Sequence, residues 1–164
     1  MFKRKVLILL IAVSVIFLSS SASARDWRSD GDGKYSAGLQ SSFMSYGPSG
    51  KIHLNDKLTL QGIIGALGTL TSFSARGLYK FVDFEPHWNM YGFGQLGVWT
   101  YSGISNETVF GYGGGVGMEW GLRNIRESMP PVSFSVEAGF GVINFDDYTG
   151  FSTFNLGSGV HYRF

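Results

Sequence analysis

Two stretches of this chain alternate so strictly that they admit one kind of backbone. Phe110, Tyr112, Val116, Met118 and Trp120 are interleaved with Gly111, Gly113, Gly115, Gly117 and Glu119. Val132, Phe134, Val136, Ala138, Phe140 and Val142 are interleaved with Ser133, Ser135, Glu137, Gly139 and Gly141. A period of two places one set on each face of an extended strand, whereas a helix would scatter both sets around its axis. The alternation recurs more loosely from residue 34 to the last residue, Phe164. No stretch after Ala24 keeps a helical period, and none is apolar over the roughly 20 residues that a membrane-spanning helix needs.

Turn signals divide this region at Gly47-Pro48-Ser49-Gly50, Asn55-Asp56, Gly68 to Thr71, Asp83 to Pro86, Ser102 to Glu107, Asn124 to Pro131 and Asp146 to Gly150. Eight strand segments are expected between them, near 34–45, 50–54, 57–67, 72–83, 87–101, 108–121, 132–144 and 151–164. Most match the roughly 9–11 residues with which a tilted strand crosses a bilayer; segment 50–54 is short. In a soluble sandwich the apolar face is buried and the polar face meets water. Here the second face is mostly glycine and serine with isolated charges, which suits the narrow interior of an eight-stranded barrel better than a solvated surface. The apolar face then meets lipid.

The first residues read as an address label. Lys3, Arg4 and Lys5 precede an apolar run from Val6 to Leu18, and small residues follow up to Ala22-Ser23-Ala24. That is the order of a secretory signal peptide, with cleavage expected after Ala24. Residues 1–24 are therefore read as signal, 25–33 as a periplasmic N-terminal segment and 34–164 as one barrel domain. The formal charge of +1 includes the three signal basics; without them ten basic residues face twelve acidic ones, a net charge of −2. No basic patch argues for nucleic acid. The chain has no cysteine, so neither a disulfide framework nor a thiolate metal site is available to it.

Leu156, Val160, Tyr162 and Phe164 share one face of the final segment, and Phe164 is the last residue. This terminal pattern resembles the assembly signal of bacterial outer-membrane barrels, and the whole region resembles the small OmpA/OmpX/OmpW group in architecture. The resemblance implies an all-β, eight-stranded antiparallel up-and-down barrel in the outer membrane with both termini in the periplasm. It implies outer-membrane lipid and lipopolysaccharide as surroundings, the barrel-assembly machinery as a partner during biogenesis, a monomeric state and no cofactor. Periplasmic turns are expected near 55–57, 83–87 and 122–131, and short outer loops near 46–50, 68–71, 102–107 and 145–150. No second, peptidoglycan-binding domain is expected after Phe164.

By alternation Arg76, Lys80, Glu119, Glu137 and Arg163 point inward, where isolated charges are costly unless paired. The expectation is a lumen charge network that plugs the barrel; the same residues would line a narrow pore. Aromatic girdles are expected at both interfaces, with Trp88, Trp120, Tyr162 and Phe164 at the terminal end and Trp99, Tyr101 and Phe151 at the other. Gly92-Phe93-Gly94-Gln95-Leu96-Gly97 spells a nucleotide-binding fingerprint, but aromatic alternation runs on through Val98 and Trp99 with no helix to receive a phosphate. Glu107, Asp146 and Asp147 lie on separate loops and are read as solvated carboxylates rather than metal ligands.

His53, His87 and His161 are the chain's histidines, all placed near the periplasmic rim. Lipid-A deacylases, acyltransferases and omptin-type proteases, which share this architecture, hold their catalytic histidines near the outer leaflet or mouth. No catalytic residue is therefore assigned. A structural envelope role or a narrow pore is expected, with a lipid-A-modifying hydrolase or acyltransferase as the rival and a soluble periplasmic β-protein as a weaker third.

Overall fold

The protein's structure, a computed structural model, describes residues 33–42, 45–84, 88–102, 106–145 and 148–164. The signal and most of the N-terminal segment, His87, Asp146 and Asp147 lie outside the described residues. Eight strands follow one another: β1 Tyr35–Ser42, β2 Ser45–His53, β3 Leu58–Leu67, β4 Leu70–Phe84, β5 Trp88–Ser102, β6 Asn106–Gly121, β7 Val132–Phe145 and β8 Tyr148–Arg163. Each is antiparallel to the next, and β1 pairs with β8 to close the barrel. The closing seam runs from Ser36↔Arg163 to Ser41↔Ser158. At its end the Phe164 amide donates to the Tyr35 carbonyl at 3.0 Å, and the Tyr35 amide donates back at 3.4 Å. Closure leaves no edge strand to template association or expose backbone to hydrocarbon.

The turns follow from local chemistry. Gly68 adopts φ 61°, the left-handed conformation that a two-residue primed hairpin turn requires, and joins β3 to β4. Between β2 and β3 the Asn55 side chain accepts hydrogen bonds from the Lys57 and Leu58 amides at 3.0 and 2.7 Å, which locks the turn. One 3-10 turn, Leu122–Asn124, leads into the longer connection between β6 and β7. In an up-and-down meander the β2–β3 and β6–β7 connections share an end with Gly33 and Phe164, here called the terminal end. The turns after β1, β3, β5 and β7 lie at the far end.

The expected turn at Gly47 to Gly50 is corrected. These residues lie within β2, which begins at Ser45, and the short segment 50–54 is the second half of a full strand. Proline is tolerated there because of where its missing donor points. The His53 amide donates to Lys34 on the β1 side, so in a regular strand the even-numbered nitrogens of β2 face β3. Pairing with β3 starts only at Ser49↔Ile63. Pro48 therefore lies just past the ladder and removes no bond from it.

Large apolar side chains cover the outside. Leu39, Ile64, Phe73, Phe110, Phe140 and Leu156 are all exposed, Leu156 at 72%. Trp120 stacks on Phe134 at 6.3 Å near the terminal end, with Tyr35, Tyr162 and Phe164 exposed on the same rim. The buried set is instead largely polar and charged: Gln40, Lys51, Gln61, Arg76, Gln95, Glu137 and His161 are each below 5% exposure. This is an inverted distribution for a protein in water and the expected one for a barrel in lipid.

Small residues let the walls come together. Gly115 and Gly139 are direct partners on β6 and β7, and a Cβ added to Gly139 would sit 2.6 Å from the Gly114 carbonyl oxygen. Relief would require moving backbone held in the ladder. Gly139→Leu is expected to cost about 1–3 kcal/mol as overpacking, lowering the urea midpoint of the barrel in liposomes. Val136→Leu, on the outward face of the same strand, is expected to leave that midpoint unchanged.

Candidate functional site: the barrel lumen

The lumen is filled in levels, each supplied by the inward set of several strands. Nearest the terminal end, Lys51 Nζ on β2 donates to Glu119 Oε2 on β6 at 2.5 Å, spanning the interior. His53 sits beside this pair, its Nε2 sharing a hydrogen bond with Ser36 Oγ at 2.9 Å and its Nδ1 one with Thr59 Oγ1 at 3.0 Å. Together with Lys80, Asp83, Asn89 and Arg163 these residues line a mouth cavity of about 100 Å³. Arg163 Nε donates to the Gly33 carbonyl at 2.7 Å and so ties the last strand to the start of the described chain.

The β4 bulge between Lys80 and Val82 shapes this mouth. Beyond it Asp83 pairs with the inward Asn89, so Lys80 and Asp83 share the inner face although three positions separate them. Bulges re-aim side chains in this way at the rims of barrels.

One level deeper lies a buried ion pair. Arg76 Nη2 donates to Glu137 Oε2 at 2.8 Å, with both side chains essentially fully enclosed. Tyr91 donates its hydroxyl to Glu137 Oε1 at 2.7 Å, and Arg76 Nη1 donates to Gln61 Oε1 at 3.2 Å. The Arg76 guanidinium also lies 4.0 Å from the centre of the Phe93 ring. Gln61 Nε2 then reaches Gln40 Oε1 at 3.2 Å and Ser49 Oγ at 3.3 Å, and lies 3.3 Å from His161 Nε2. An enclosed pair offsets its desolvation only when further hydrogen bonds satisfy the remaining polar atoms; Tyr91, Gln61 and the Phe93 ring supply much of that.

Of the five inward charges expected, the structure brings Arg76 and Glu137 into contact. Glu119 pairs with Lys51 instead, a residue outside the expected set, while Lys80 and Arg163 line the mouth. Lys51 escaped notice because the Gly-Pro-Ser-Gly reading cut β2 in half and hid its alternation.

Trp99 requires a further correction. It was expected on the outer girdle, but it is 1% exposed and packs inside the far half of the lumen with Val109, Ile143 and Leu70. Tyr101 is exposed, and the side chain of Phe151 lies outside the described residues.

Ser49 Oγ and His161 Nε2 share a hydrogen bond at 2.5 Å, the spacing of a nucleophile and its base. Among the described residues, however, His161 Nδ1 has no partner to orient the ring, and Gln61 Nε2 lies 3.3 Å from His161 Nε2 within the lumen. The arrangement lacks the third member of a catalytic triad and access to a lipid substrate. Gly92 to Gly97 run unbroken through β5, without the strand-turn-helix that phosphate binding needs. Leu156, Tyr162 and Phe164 are exposed on the outer face of the final strand region, and Val160 is half-buried.

Removing one partner of the enclosed pair strands the other. Glu137→Ala is expected to cost about 3–5 kcal/mol, read as a lowered urea midpoint of the folded barrel. Arg76→Met combined with Glu137→Leu is expected to recover most of that loss. Strict additivity of the two single effects would show that the pair is not coupled.

Neither a family model nor a curated protein sequence matches this chain. Among solved structures, the N-terminal β-barrel domain of Pseudomonas aeruginosa OprF is similar with a TM-score of 0.53 and 16% identity. The match covers 79% of this chain and 95% of that one. The Yersinia pestis outer membrane protein Ail, in a phospholipid bilayer nanodisc, aligns over 81% of this chain and 100% of its own, with a TM-score of 0.38 and 18% identity. The closed eight-strand meander, its apolar exterior and the OprF match together identify the fold as that of a small outer-membrane β-barrel.

Proposed function

We propose that the protein is a non-catalytic integral barrel of the bacterial outer membrane that serves the envelope structurally, with a lumen closed to solutes. One observation carries this reading: the large apolar side chains are on the outside, while the enclosed ones are mostly polar and tied to one another. Such a surface is stable only where hydrocarbon surrounds it. Signal residues 1–24 would direct export, and the terminal end, with its mouth cavity and both chain ends, would face the periplasm. The described far-end turn, Gly68-Thr69 between β3 and β4, is two residues long and offers little surface for an external partner.

The rival lipid-A hydrolase or acyltransferase reading has no such support. The described histidines, His53 and His161, are committed inside the lumen in its terminal half.

Fractionation should recover the mature protein in the outer membrane, resistant to carbonate and migrating as a heat-modifiable band in SDS. Release by carbonate or osmotic shock would contradict the reading. Phe164 forms the last rung of the closing seam, and the terminal aromatic pattern is proposed to be read by the barrel-assembly machinery. Deletion of Phe164 is therefore expected to lower the amount of heat-modifiable protein severalfold and expose unassembled chain to periplasmic proteases. Unchanged levels would remove that role.

A further inference from the structure

We propose that the barrier to permeation is an apolar layer built on Trp99 in the far half of the barrel, rather than the ion pairs that fill the terminal half. This deepens the closed-barrel reading and rests on it.

The lumen changes character along its axis. From the mouth to mid-barrel the inward side chains are mostly charged, amide or hydroxyl, with Leu78, Ile63 and Phe93 among them, and several polar atoms keep hydrogen-bonding capacity that the described residues do not satisfy. Gln95 Nε2, Ser135 Oγ and Asn155 Oδ1 are enclosed without a partner among the described residues, and enclosed polar groups of this kind are ordinarily met by water. Charged and amide side chains that exchange partners with water form a selective constriction rather than an absolute one, as pore-lining charges do.

The layer above is different: its β4–β7 side is apolar, and toward β1 and β2 it is filled by the small side chains of Ser42, Ser45, Ser72 and Ser74, with Ser72 and Ser74 donating to Ser45 Oγ at 3.4 and 3.2 Å. Trp99 on β5 is the direct cross-strand partner of Val109 on β6, and Ile143 on β7 is the partner of Gly111 on β6. Trp99, Val109 and Ile143 are 1%, 8% and 0% exposed, and Leu70 on β4 packs against them. The space for the indole is built in. A Cβ on Gly97 would lie 2.8 Å from Trp99 Cη2, and one on Gly111 would lie 2.8 Å from Trp99 Cζ3. Two neighbouring strands thus give up side chains where the ring packs against the inner wall. An apolar constriction excludes ions by dewetting and needs no charge to do so.

The test is conductance of the full mature protein in planar lipid bilayers, for wild type, Trp99→Ala, Trp99→Phe and Glu137→Gln, each first shown to be inserted and heat-modifiable. Trp99→Ala is expected to gain a steady ohmic conductance, while wild type, Trp99→Phe and Glu137→Gln stay at the bilayer background. If Trp99→Ala does not assemble, Ile143→Ala thins the same layer and carries the same expectation. The proposal is overturned if Glu137→Gln conducts and the layer variants do not, if all variants conduct alike, if none conducts, or if wild type itself conducts steadily. Failure of the parent reading looks different, because the wild-type protein would then not insert as a heat-modifiable barrel at all.

Discussion

In hydrocarbon no solvent meets a free backbone amide or carbonyl, and each unmet group costs several kcal/mol, of the order of a full desolvation penalty. Everything else in this structure depends on satisfying that constraint. The strands achieve it by closing on themselves, β1 to β8. Closure in turn fixes which residues face in, because side chains alternate and one slip of register would turn every one over. The apolar exterior and the polar interior are two readings of one register.

A barrel of eight strands leaves an interior that side chains must fill, and this chain fills it with two chemistries. Toward the terminal end the filling is electrostatic: Lys51 meets Glu119, and Arg76 meets Glu137 with Tyr91 and Gln61 completing their bonds. Toward the far end it is uncharged among the described residues, with Trp99 laid against Val109 and Ile143 on one side and hydrogen-bonded serines, Ser45, Ser72 and Ser74, on the other. The glycines belong to both solutions. They thin the wall at Gly115 and Gly139, and they clear the place of the indole at Gly97 and Gly111. The ion pairs add little net stability, since an enclosed pair spends much of its attraction on desolvation.

Much of this was legible because β6 and β7 carry clean alternation; the fold and the inward placement of Glu119 and Glu137 follow from it. What escaped did so for identifiable reasons. In β2, Pro48 and two glycines look like a turn to any local reading, and only the position of the β3 ladder explains why a strand tolerates them. Lys51 was lost with that strand. In β5 both faces carry large apolar side chains: Tyr91, Phe93 and Trp99 go inward, while Leu96 and Val98 are exposed. Hydrophobicity alone cannot phase such a strand. The β4 bulge shifts the parity of Asp83, and a bulge leaves no mark in local sequence. Which charges would meet depended on pairings across the barrel, and these are set by closure, not by neighbours along the chain.

The central claim is that one face of every strand meets lipid and the other a filled lumen. Because the chain has no cysteine, it can be tested position by position along β6. Single cysteines from 108 to 119, spin-labelled in liposomes, would be measured for collision with molecular oxygen and with a water-soluble nickel chelate. The account predicts a period of two, with oxygen accessibility high at Phe110, Tyr112, Val116 and Met118 and low at Val109, Gly111, Gly115 and Gly117. Loss of that period, or nickel accessibility at Phe110 and Val116 equal to that of a label in water, would contradict it.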